Sequence, residues 1–265
     1  MIKKIFSASW ISLVLLFMYL PIIILAVYSF TDSTTIGAIR SFSLTNYETL
    51  FTTPELINMI IGTLVLALVV SVLSVILGTT GAIGAFYSKK VSRTFIKNAN
   101  QIPVVNAEVV TGFAICILLI VVFGIDKSTF IPLVIGQVSL CSPFVYLSVV
   151  PKLMQMDNSL YEAALDLGAT PAKALFRVII PQIMPGIVSG FMLSITLSLD
   201  DYFITTYTKP ASFDTISTYV VNATKGAQTS IKTALWALST IIFVLVILIV
   251  VVNYFKSSKR AGEEK

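Results

Sequence analysis

Long apolar runs alternate with short polar segments along the chain. Six of these runs reach about the 20 residues that an α-helix needs to cross a bilayer. They cover residues 10–30, 56–87, 101–123, 130–150, 182–207 and 234–255. We therefore predict an all-α membrane protein with six transmembrane helices. The first run follows two lysines, but it is too long for a signal peptide and no convincing cleavage site follows it.

The polar interruption from residue 157 to residue 185 is long enough to hold structure of its own. Its first part predicts a short amphipathic helix, because four apolar residues recur at the spacing of one helical face. These residues are Leu160, Ala163, Ala164 and Leu167. Ser159 and Glu162 have the spacing of a capping box, so we expect Ser159 to cap this helix.

Gly168 follows this helix and can adopt the left-handed conformation that ends it. Thr170 and Pro171 are typical of the start of a second helix, which we predict to run to about Ile180 before Pro181 stops it. Residues 157–180 are thus predicted to form two helices joined at a glycine. We call this segment the elbow.

The composition agrees with a membrane protein that crosses the bilayer several times. Hydrophobic residues make up 56% of the chain and charged residues 12%, and the mean hydropathy is +0.93. If the N-terminus lies inside the cell, 13 of the 18 lysines and arginines lie on the inner side. The positive-inside rule then places both termini, the elbow and a short basic loop at residues 89–97 in the cytoplasm. The net charge of +5 follows from this bias and gives no reason to expect a nucleic-acid partner.

The chain lacks the usual residues of a nucleotide-hydrolysing or metal-binding enzyme. It has no histidine and no G-x-x-x-x-G-K-[ST] phosphate loop. Cys116 and Cys141 lie in separate predicted spans without metal-ligand spacing, so we interpret them as small apolar packing residues. We expect no catalytic residue, metal or cofactor on this chain. If ATP drives the protein, another subunit must bind the nucleotide and its Mg²⁺.

Two further patterns predict local structure. Small residues in the second predicted span recur at the spacing that lets membrane helices pack closely: Gly78, Gly81, Ala82, Gly84 and Ala85. In the first outer loop, Thr45 and Glu48 have the spacing of another capping box. They predict a short helix on the outer membrane surface.

Three carboxylates lie inside predicted spans and are our candidates for a substrate pathway. A charge in the bilayer centre costs roughly 2.5–3.5 kcal/mol, so such residues usually line water or meet a partner. Glu108 lies about 15 Å from the inner end of its span, while Asp200 and Asp201 lie about 28–30 Å beyond Pro181. We therefore predict an acidic ladder that descends from the outer end to mid-depth. Residues adjacent on a helix point about 100° apart, so only one of the two aspartates can face one pathway squarely, and the sequence leaves open which.

Aromatic and hydroxyl groups accompany the aspartates: Ser198, Tyr202, Phe203 and Tyr207. Carboxylates beside aromatic rings suit an organic cation, since an ammonium group is attracted to both. Primary amines have a reference pKa near 10.4 and are cations at neutral pH. We therefore predict substrate contacts at Glu108, Ser198, Asp200, Asp201, Tyr202 and Tyr207, with a polyamine as a fitting substrate.

The elbow also resembles a known motif. Glu162-Ala163-Ala164, Gly168, Val178, Ile180 and Pro181 match the E-A-A-x3-G-x9-I-x-L-P loop of ABC importer permeases, with aliphatic exchanges at Val178 and Ile180. The resemblance implies a type I ABC importer permease bundle (MetI-like) whose cytoplasmic coupling helix, at about residues 157–180, docks into an ATP-hydrolysing subunit. The implied coupling residues are Glu162, Ala163, Ala164, Leu167 and Gly168.

Nearly the whole chain resembles the permeases of spermidine/putrescine ABC importers. The resemblance rests on PIIIL in the first span, LTNY in the outer loop, CSPFVYLSV before the elbow and SLSLDDYFITTYTKP after it. It implies a multi-pass subunit of the bacterial plasma or inner membrane. The implied partners are two ATP-binding subunits, a second permease that we expect to be different, and an extracellular or periplasmic binding protein. It also implies a first helix with its outer loop at residues 1–55, a permease core at 56–255 and a cytoplasmic tail at 256–265.

Other functions remain as alternatives at the level of the sequence. Permeases for ferric iron, thiamine or phosphonate share the elbow, so the acidic residues alone favour a polyamine. An ion-coupled secondary transporter would use Glu108 and the aspartates as a relay, but we see no clear inverted repeat. An intramembrane aspartyl protease is disfavoured, because its two catalytic acids must meet from separate elements and Asp200 and Asp201 are adjacent.

Overall fold

The computed structural model of the chain describes residues 2–32, 41–157, 159–225, 233–244 and 247. Within these residues the regular elements are helical, and an isolated β-bridge pairs Thr31 with Phe42. The helices are α1 Ile2–Ser29, α2 Thr45–Thr52, α3 Pro54–Tyr87, α4 Lys90–Val105, α5 Glu108–Cys116, α6 Ile131–Gln155, α7 Ser159–Asp166, α8 Pro171–Ala174, α9 Ile180–Asp200, α10 Phe203–Thr208, α11 Ile216–Lys225 and α12 Thr233–Val244. Two π-helical stretches, Ile117–Val122 and Leu175–Ile179, continue α5 and join α8 to α9.

Several helices are long and apolar enough to cross a membrane. Four qualify singly: Trp10–Ser29, Pro54–Tyr87, Ile131–Gln155 and Pro171–Asp200. A fifth candidate is the bent pair of α4 with α5 and its π-helical continuation. The all-α membrane class is therefore confirmed, with four or five candidate spans among the described residues. The sixth predicted span is helical from Thr233 to Val244, and most of its remainder lies outside the described residues.

The third predicted span is not one straight helix. α4 and α5 meet at an angle of 106°, and Asn106 and Ala107 between them have extended backbone dihedrals. The side-chain amide of Asn106 donates a hydrogen bond to the hydroxyl of Thr111 at 3.0 Å. Asparagine offers the backbone such alternatives to the helix, which accounts for a break at this position. Residues 89–97 are also not the predicted loop, because α4 begins at Lys90 and these residues form its start. Their cytoplasmic placement stays a prediction.

The described chain forms two compact units. One contains the described parts of Met1–Asn58 and Val220–Lys265, and the other is Met59–Tyr219. The second unit contains α6, against which α3, α4, α5, α9 and α10 pack.

Glycines let the neighbouring helices approach α6 closely. A Cβ atom on Gly78 of α3 would lie 2.7 Å from Val145 Cβ and 2.8 Å from the carbonyl oxygen of Ser142. A Cβ on Gly190 of α9 would lie 3.0 Å from Val145 Cγ1, so Val145 is held between two glycines. The buried cluster around this contact consists of Ala82, Ala85, Val145, Tyr146, Val149, Leu153, Ile179 and Ile183.

The packing predicted from the small residues of the second span is therefore confirmed for most of them. Gly78 touches α6, and Ala82 and Ala85 are buried in the same cluster. A Cβ on Gly81 would lie 3.9 Å from the ring of Tyr146, which is ordinary contact. Gly84 differs, because a Cβ there would meet nothing within 4 Å.

In the first unit, α2 forms where it is predicted, but its start differs. Thr45 lies in the first turn and its backbone N–H donates to the hydroxyl of Ser43 at 3.1 Å, while the N–H of Glu48 donates to the Leu44 carbonyl. The capping box of Thr45 and Glu48 is therefore wrong. Buried Asn46 instead fixes the helix, since its amide donates to the carbonyl oxygens of Ser29 and Thr31 at 3.1 and 2.8 Å.

The contrast between Gly78 and Gly84 generates a test. We expect Gly78→Val to lower the free energy of unfolding of the purified protein by roughly 1–3 kcal/mol or more, because the new side chain overpacks against a backbone carbonyl. Gly84→Val is the matched control in the same helix and should change stability by less than about 0.5 kcal/mol. Thermal unfolding in detergent measures both. Equal effects of the two substitutions would contradict the close contact of α3 with α6.

Candidate functional site

The elbow turns at Gly168, as the sequence predicts. Gly168 has a φ of +81°, its N–H donates to the Leu165 carbonyl at 2.9 Å, and the N–H of Ala169 donates to the Ala164 carbonyl at 3.0 Å. These two bonds are a Schellman motif, which satisfies the last carbonyls of α7. A glycine fits this position because left-handed backbone is costly for residues with a Cβ.

The second arm of the elbow begins at the predicted residues but does not end at about Ile180. Thr170 caps it by accepting a hydrogen bond from the Lys173 N–H at 3.4 Å, and Pro171 occupies the first turn. The helix then continues through Pro181 to Asp200, so the predicted stop at Pro181 is wrong. The π-helical turn immediately before Pro181 changes the hydrogen-bond register and accommodates the missing N–H and the ring.

The start of α7 is capped by a different residue from the one predicted. Ser159 lies inside the helix, and its backbone N–H donates to Oδ1 of Asp157 at 3.0 Å. Hydrogen bonds from the backbone and side chain of Ser159 lower the pKa of the Asp157 carboxyl below its ordinary value. The predicted cap by Ser159 is therefore wrong, because a carboxylate two residues earlier takes the exposed N–H.

The two sides of α7 have different surroundings. Tyr161, Ala164 and Leu165 are half-buried against the rest of their unit. The predicted apolar face is otherwise uncovered: Leu167 is 88% exposed, and Leu160 and Ala163 are exposed as well. Glu162 and Gly168 are also exposed, so the five predicted coupling residues lie at or near the surface, with Ala164 the least accessible.

The three predicted acids fall into two classes. Glu108 is the first residue of α5, directly after the bend, and it is exposed. Asp200 is the last residue of α9 and is also exposed. Asp201 is only 4% exposed, and its oxygens accept hydrogen bonds from the backbone N–H groups of Ile204 at 3.2 Å and Thr205 at 2.8 Å. Asp201 therefore caps α10.

A buried glutamine connects Asp201 to Ser198. The hydroxyl of Ser198 donates to Oε1 of Gln137 at 2.6 Å, and Nε2 of Gln137 donates to Thr205 Oγ1 at 2.8 Å and to Asp201 Oδ2 at 3.3 Å. The Thr205 hydroxyl in turn donates to Asp201 at 2.6 Å. We call Gln137, Ser198, Asp201 and Thr205 the buried polar network. Gln137 and Thr205 were not among the predicted site residues, although the amide of Gln137 inside the apolar run 130–150 was a usable signal.

The acidic ladder is not what the structure shows. α5 and α10 pack side by side in the same direction, because Gly112 faces Ile204, with a built Cβ 3.1 Å from its Cα, and Cys116 Sγ lies 3.3 Å from the Tyr207 carbonyl. Glu108 and Asp200 each lie four residues before the first of these contacts, so they sit near the same end of the pair. The predicted ladder required residues 101–107 to continue one straight helix up to Glu108. The bend before Glu108 breaks that helix, so these residues do not set the depth of Glu108 as predicted.

The two predicted tyrosines are half-buried and contact other rings. Tyr202 meets Phe203 edge-on with ring centroids 5.2 Å apart, and Tyr207 meets Phe113 of α5 at 5.8 Å. Tyr207 therefore helps to hold α10 against α5. The substrate roles of both tyrosines and of the other pathway residues stay predictions.

An open groove lies on the exposed side of α4, and both amide and apolar side chains line it. It measures about 520 Å³ and is lined by Asn98, Gln101, Ile102, Val105 and Asn106. The opposite side of α4 faces α6, where Asn100 donates to the Pro143 carbonyl at 3.3 Å. Asn106 is two residues from Glu108. Amide groups therefore lie on the α4 side of the bend, and a carboxylate lies on the α5 side.

Comparison with known proteins decides the family. Residues 74–260 match the family model described as binding-protein-dependent transport system inner membrane component. The chain belongs to this family. It is therefore a multi-pass inner-membrane component of a transport system that works with a binding protein, and the resemblance of the chain to importer permeases is confirmed. The coupling role of the elbow stays a prediction.

Individual relatives agree with this assignment. The chain is 29% identical to the spermidine/putrescine transport system permease protein PotC of Haemophilus influenzae, over 92% of this chain and 93% of that protein. It is 29% identical to the putrescine transport system permease protein PotI of Escherichia coli, over 79% and 76% of the two chains. It shares its fold, with a TM-score of 0.65 and 96% coverage of both chains at 16% identity, with a bacterial ABC transporter involved in the import of the acidic polysaccharide alginate.

The separation of the two aspartates by burial generates a second test. We expect Asp201→Ala to destabilise the protein by roughly 2–4 kcal/mol, since an unsatisfied buried group costs about 1–3 kcal/mol and a lost cap about 1 kcal/mol. Asp200→Ala removes an exposed carboxylate and should change stability by less than about 0.5 kcal/mol. Thermal unfolding of both variants checks this. A stable Asp201→Ala protein would show that the cap and the buried polar network do not support the fold.

Proposed function

We propose that the chain is a permease subunit of an ATP-driven importer for polyamines such as spermidine and putrescine. It forms half of the translocation pathway, and ATP and Mg²⁺ bind to a separate ATPase subunit. The observation that carries the proposal is a pair of exposed carboxylates near the starts of the parallel helices α5 and α10. Glu108 is the first residue of α5, and Asp200 lies three residues before α10. The names of the relatives that align over most of the chain support the same substrate class.

The proposed arrangement has six spans with both termini and the elbow in the cytoplasm. Two ATPase subunits, a second and different permease, and a binding protein outside the membrane complete the assembly. The lysine and arginine bias of the loops supports this orientation. α9 begins at the elbow and has 21 residues, so its Asp200 end lies about 30 Å away, towards the side where the binding protein delivers substrate.

The charges suit a polyamine. Its ammonium groups are cations at neutral pH, and the exposed carboxylates of Glu108 and Asp200 offer opposite charge. Among the described residues the ion pair found joins Lys209 to Asp214 at 2.9 Å, so neither carboxylate is neutralised by a neighbouring cation there. The amide oxygens of Asn98 and Gln101 could accept further hydrogen bonds from ammonium groups. An anionic substrate such as a phosphonate would be repelled by the same acids.

Asp201 acts differently from Asp200 in this proposal. It is only 4% exposed and its oxygens already accept four hydrogen bonds from the chain, so a substrate has little access to it. Its role is to cap α10 and, through Gln137, to hold α10 against α6, which fixes the position of the adjacent Asp200. Asp200 is therefore the member of the pair that we propose to face the pathway.

The uncovered face of α7 is the proposed docking site for the ATPase. Leu160, Ala163 and Leu167 present apolar surface in a segment rich in charged and polar residues. Phe176 on the second arm is 66% exposed and adds an aromatic ring to the elbow. Exposed apolar surface of this kind typically marks a protein contact.

Uptake kinetics test the pathway. We expect Glu108→Gln to raise the KM for putrescine or spermidine roughly tenfold or more, because a hydrogen bond to a charged group is worth about 1.5–3 kcal/mol. The matched control is Asp126→Asn in a loop, whose carboxylate is engaged by its own turn, with Ser128 N–H at 2.8 Å. Uptake of labelled polyamine into proteoliposomes containing the full assembly gives the KM values. An unchanged KM in Glu108→Gln would remove Glu108 from the pathway.

A pair of glycines tests the coupling role of the elbow. Gly168 and Gly124 both have positive φ, +81° and +66°, and an added Cβ at either meets nothing within 4 Å. Aspartate at either position therefore costs a similar backbone strain, about 1–2 kcal/mol. We expect Gly168→Asp to abolish binding of the ATPase and uptake while the protein still inserts, and Gly124→Asp to keep both. Copurification with the ATPase and uptake measure the outcome, and equal losses in the two variants would contradict a special role of the elbow.

A further inference from the structure

We propose that Tyr161 is the residue through which the elbow transmits movement to the transmembrane helices. The inference rests on the proposed function, since it concerns how ATPase docking on α7 reaches the substrate pathway. It extends that function, because Tyr161 is not among the predicted coupling residues and its ring meets Tyr87, the last residue of α3.

Tyr161 lies on the covered side of α7 and packs against the membrane-spanning helices of the same unit. Its half-buried side chain packs against the buried cluster formed by α3, α6 and α9. Its ring centroid lies 5.4 Å from that of Tyr87, the last residue of α3, with the planes tilted by 45°. The contact is therefore between the elbow and the inner end of a membrane-spanning helix.

The chain of ring contacts continues from Tyr87 to α4. Tyr87 meets Phe86 edge-on at 5.2 Å, and the guanidinium group of Arg93 lies 5.6 Å from the centroid of the Phe86 ring. A cation over an aromatic face is attracted to it, so α4 is held to α3 at this point. We call Phe86, Tyr87, Arg93 and Tyr161 the aromatic joint. It connects α7, α3 and α4 in one run of side chains.

The aromatic joint is less tightly packed than the helices above it. A cavity of about 630 Å³ lies beside it, lined by its four residues together with Glu162 and Leu165. In contrast, the contact of α3 with α6 at Gly78 has no room for a single methyl group. Rings can therefore slide or tilt at the joint, while the close glycine contacts keep the helices moving as bodies.

The position of Tyr161 on α7 makes it suited to transmission. Leu160, Ala163 and Leu167 lie on the uncovered side, so a partner that binds there presses α7 towards the unit. Tyr161 lies on the covered side and receives that displacement on a rigid ring. Since α4 leads to the bend and then to Glu108, movement at the joint reaches the helix that begins with a predicted substrate residue.

The test compares uptake with hydrolysis in the reconstituted assembly. We expect Tyr161→Ala to lower the number of polyamine molecules imported per ATP hydrolysed at least tenfold, while the ATPase still copurifies with the permease. Tyr161→Phe keeps the ring and should restore the ratio to within about twofold of the unaltered protein. An unchanged ratio in Tyr161→Ala, or equal losses in the Ala and Phe variants, would overturn the proposal.

A second pair of variants separates transmission from simple loss of structure. Tyr87→Ala should lower the same ratio, and the double variant Tyr87→Ala with Tyr161→Ala should be no worse than either single variant, because one contact has been removed. Independent, multiplying losses would count against a joint that acts as a unit. Loss of ATPase copurification in Tyr161→Ala would also overturn it, since Tyr161 would then be part of the docking site. If the unaltered assembly itself shows no polyamine-stimulated hydrolysis, the proposed function fails first.

Discussion

The close approach of α6 to its neighbours determines the rest of the architecture. Within a membrane the helices gain little from hydrophobic burial against one another, so van der Waals contact between closely spaced backbones has to hold them together. Glycines supply that contact along the length of α6. Gly78 and Gly190 meet it near its middle, Gly186 meets it near Lys152, and Gly136 of α6 itself admits Ile204, whose Cγ2 lies 2.8 Å from a built Cβ. The elements near the elbow and the short helix α10 are thus both positioned by their contacts with α6.

This arrangement separates Asp201, which supports the fold, from Glu108 and Asp200, for which we propose a role in substrate binding. A buried carboxylate is stable only if its oxygens find donors, and Asp201 obtains them from α10 and from Gln137 of α6. The cap then orients α10 against α5 through Gly112 and Tyr207. Glu108 and Asp200 lie at the edge of this satisfied core with free oxygens. A fixed frame behind exposed charges is what a binding site requires, because the charges then keep their spacing while a cation arrives and leaves.

Local sequence signals predicted the parts of the fold that depend on single residues. Gly168, Thr170 and Pro171 each occupy the conformation that their chemistry favours, and the small residues of α3 lie against α6. Two failures have a common cause, since a helix that meets Asn106 or Pro181 has alternatives of similar energy. At Asn106 the chain bends, whereas at Pro181 a π-helical turn carries the helix onward. Tertiary packing decides between these outcomes, and a single sequence does not contain it. Gln137 was missed because its partners, Ser198 and Thr205, are more than 60 residues away.

The exposed apolar surface of the chain has two different explanations. On α3 and α6 the exposed leucines and valines belong to candidate spans, so lipid covers them. Leu167 is as exposed as any of these, yet it lies in a segment with Asp157, Glu162, Asp166 and Lys173, which belongs in water. An apolar side chain that is neither buried in its own unit nor placed in lipid raises the free energy of the isolated chain. The docking that we propose on the uncovered face of α7 would remove that penalty, and it would press on Tyr161 from the other side. The proposed docking and the proposed transmission thus use the two faces of one eight-residue helix.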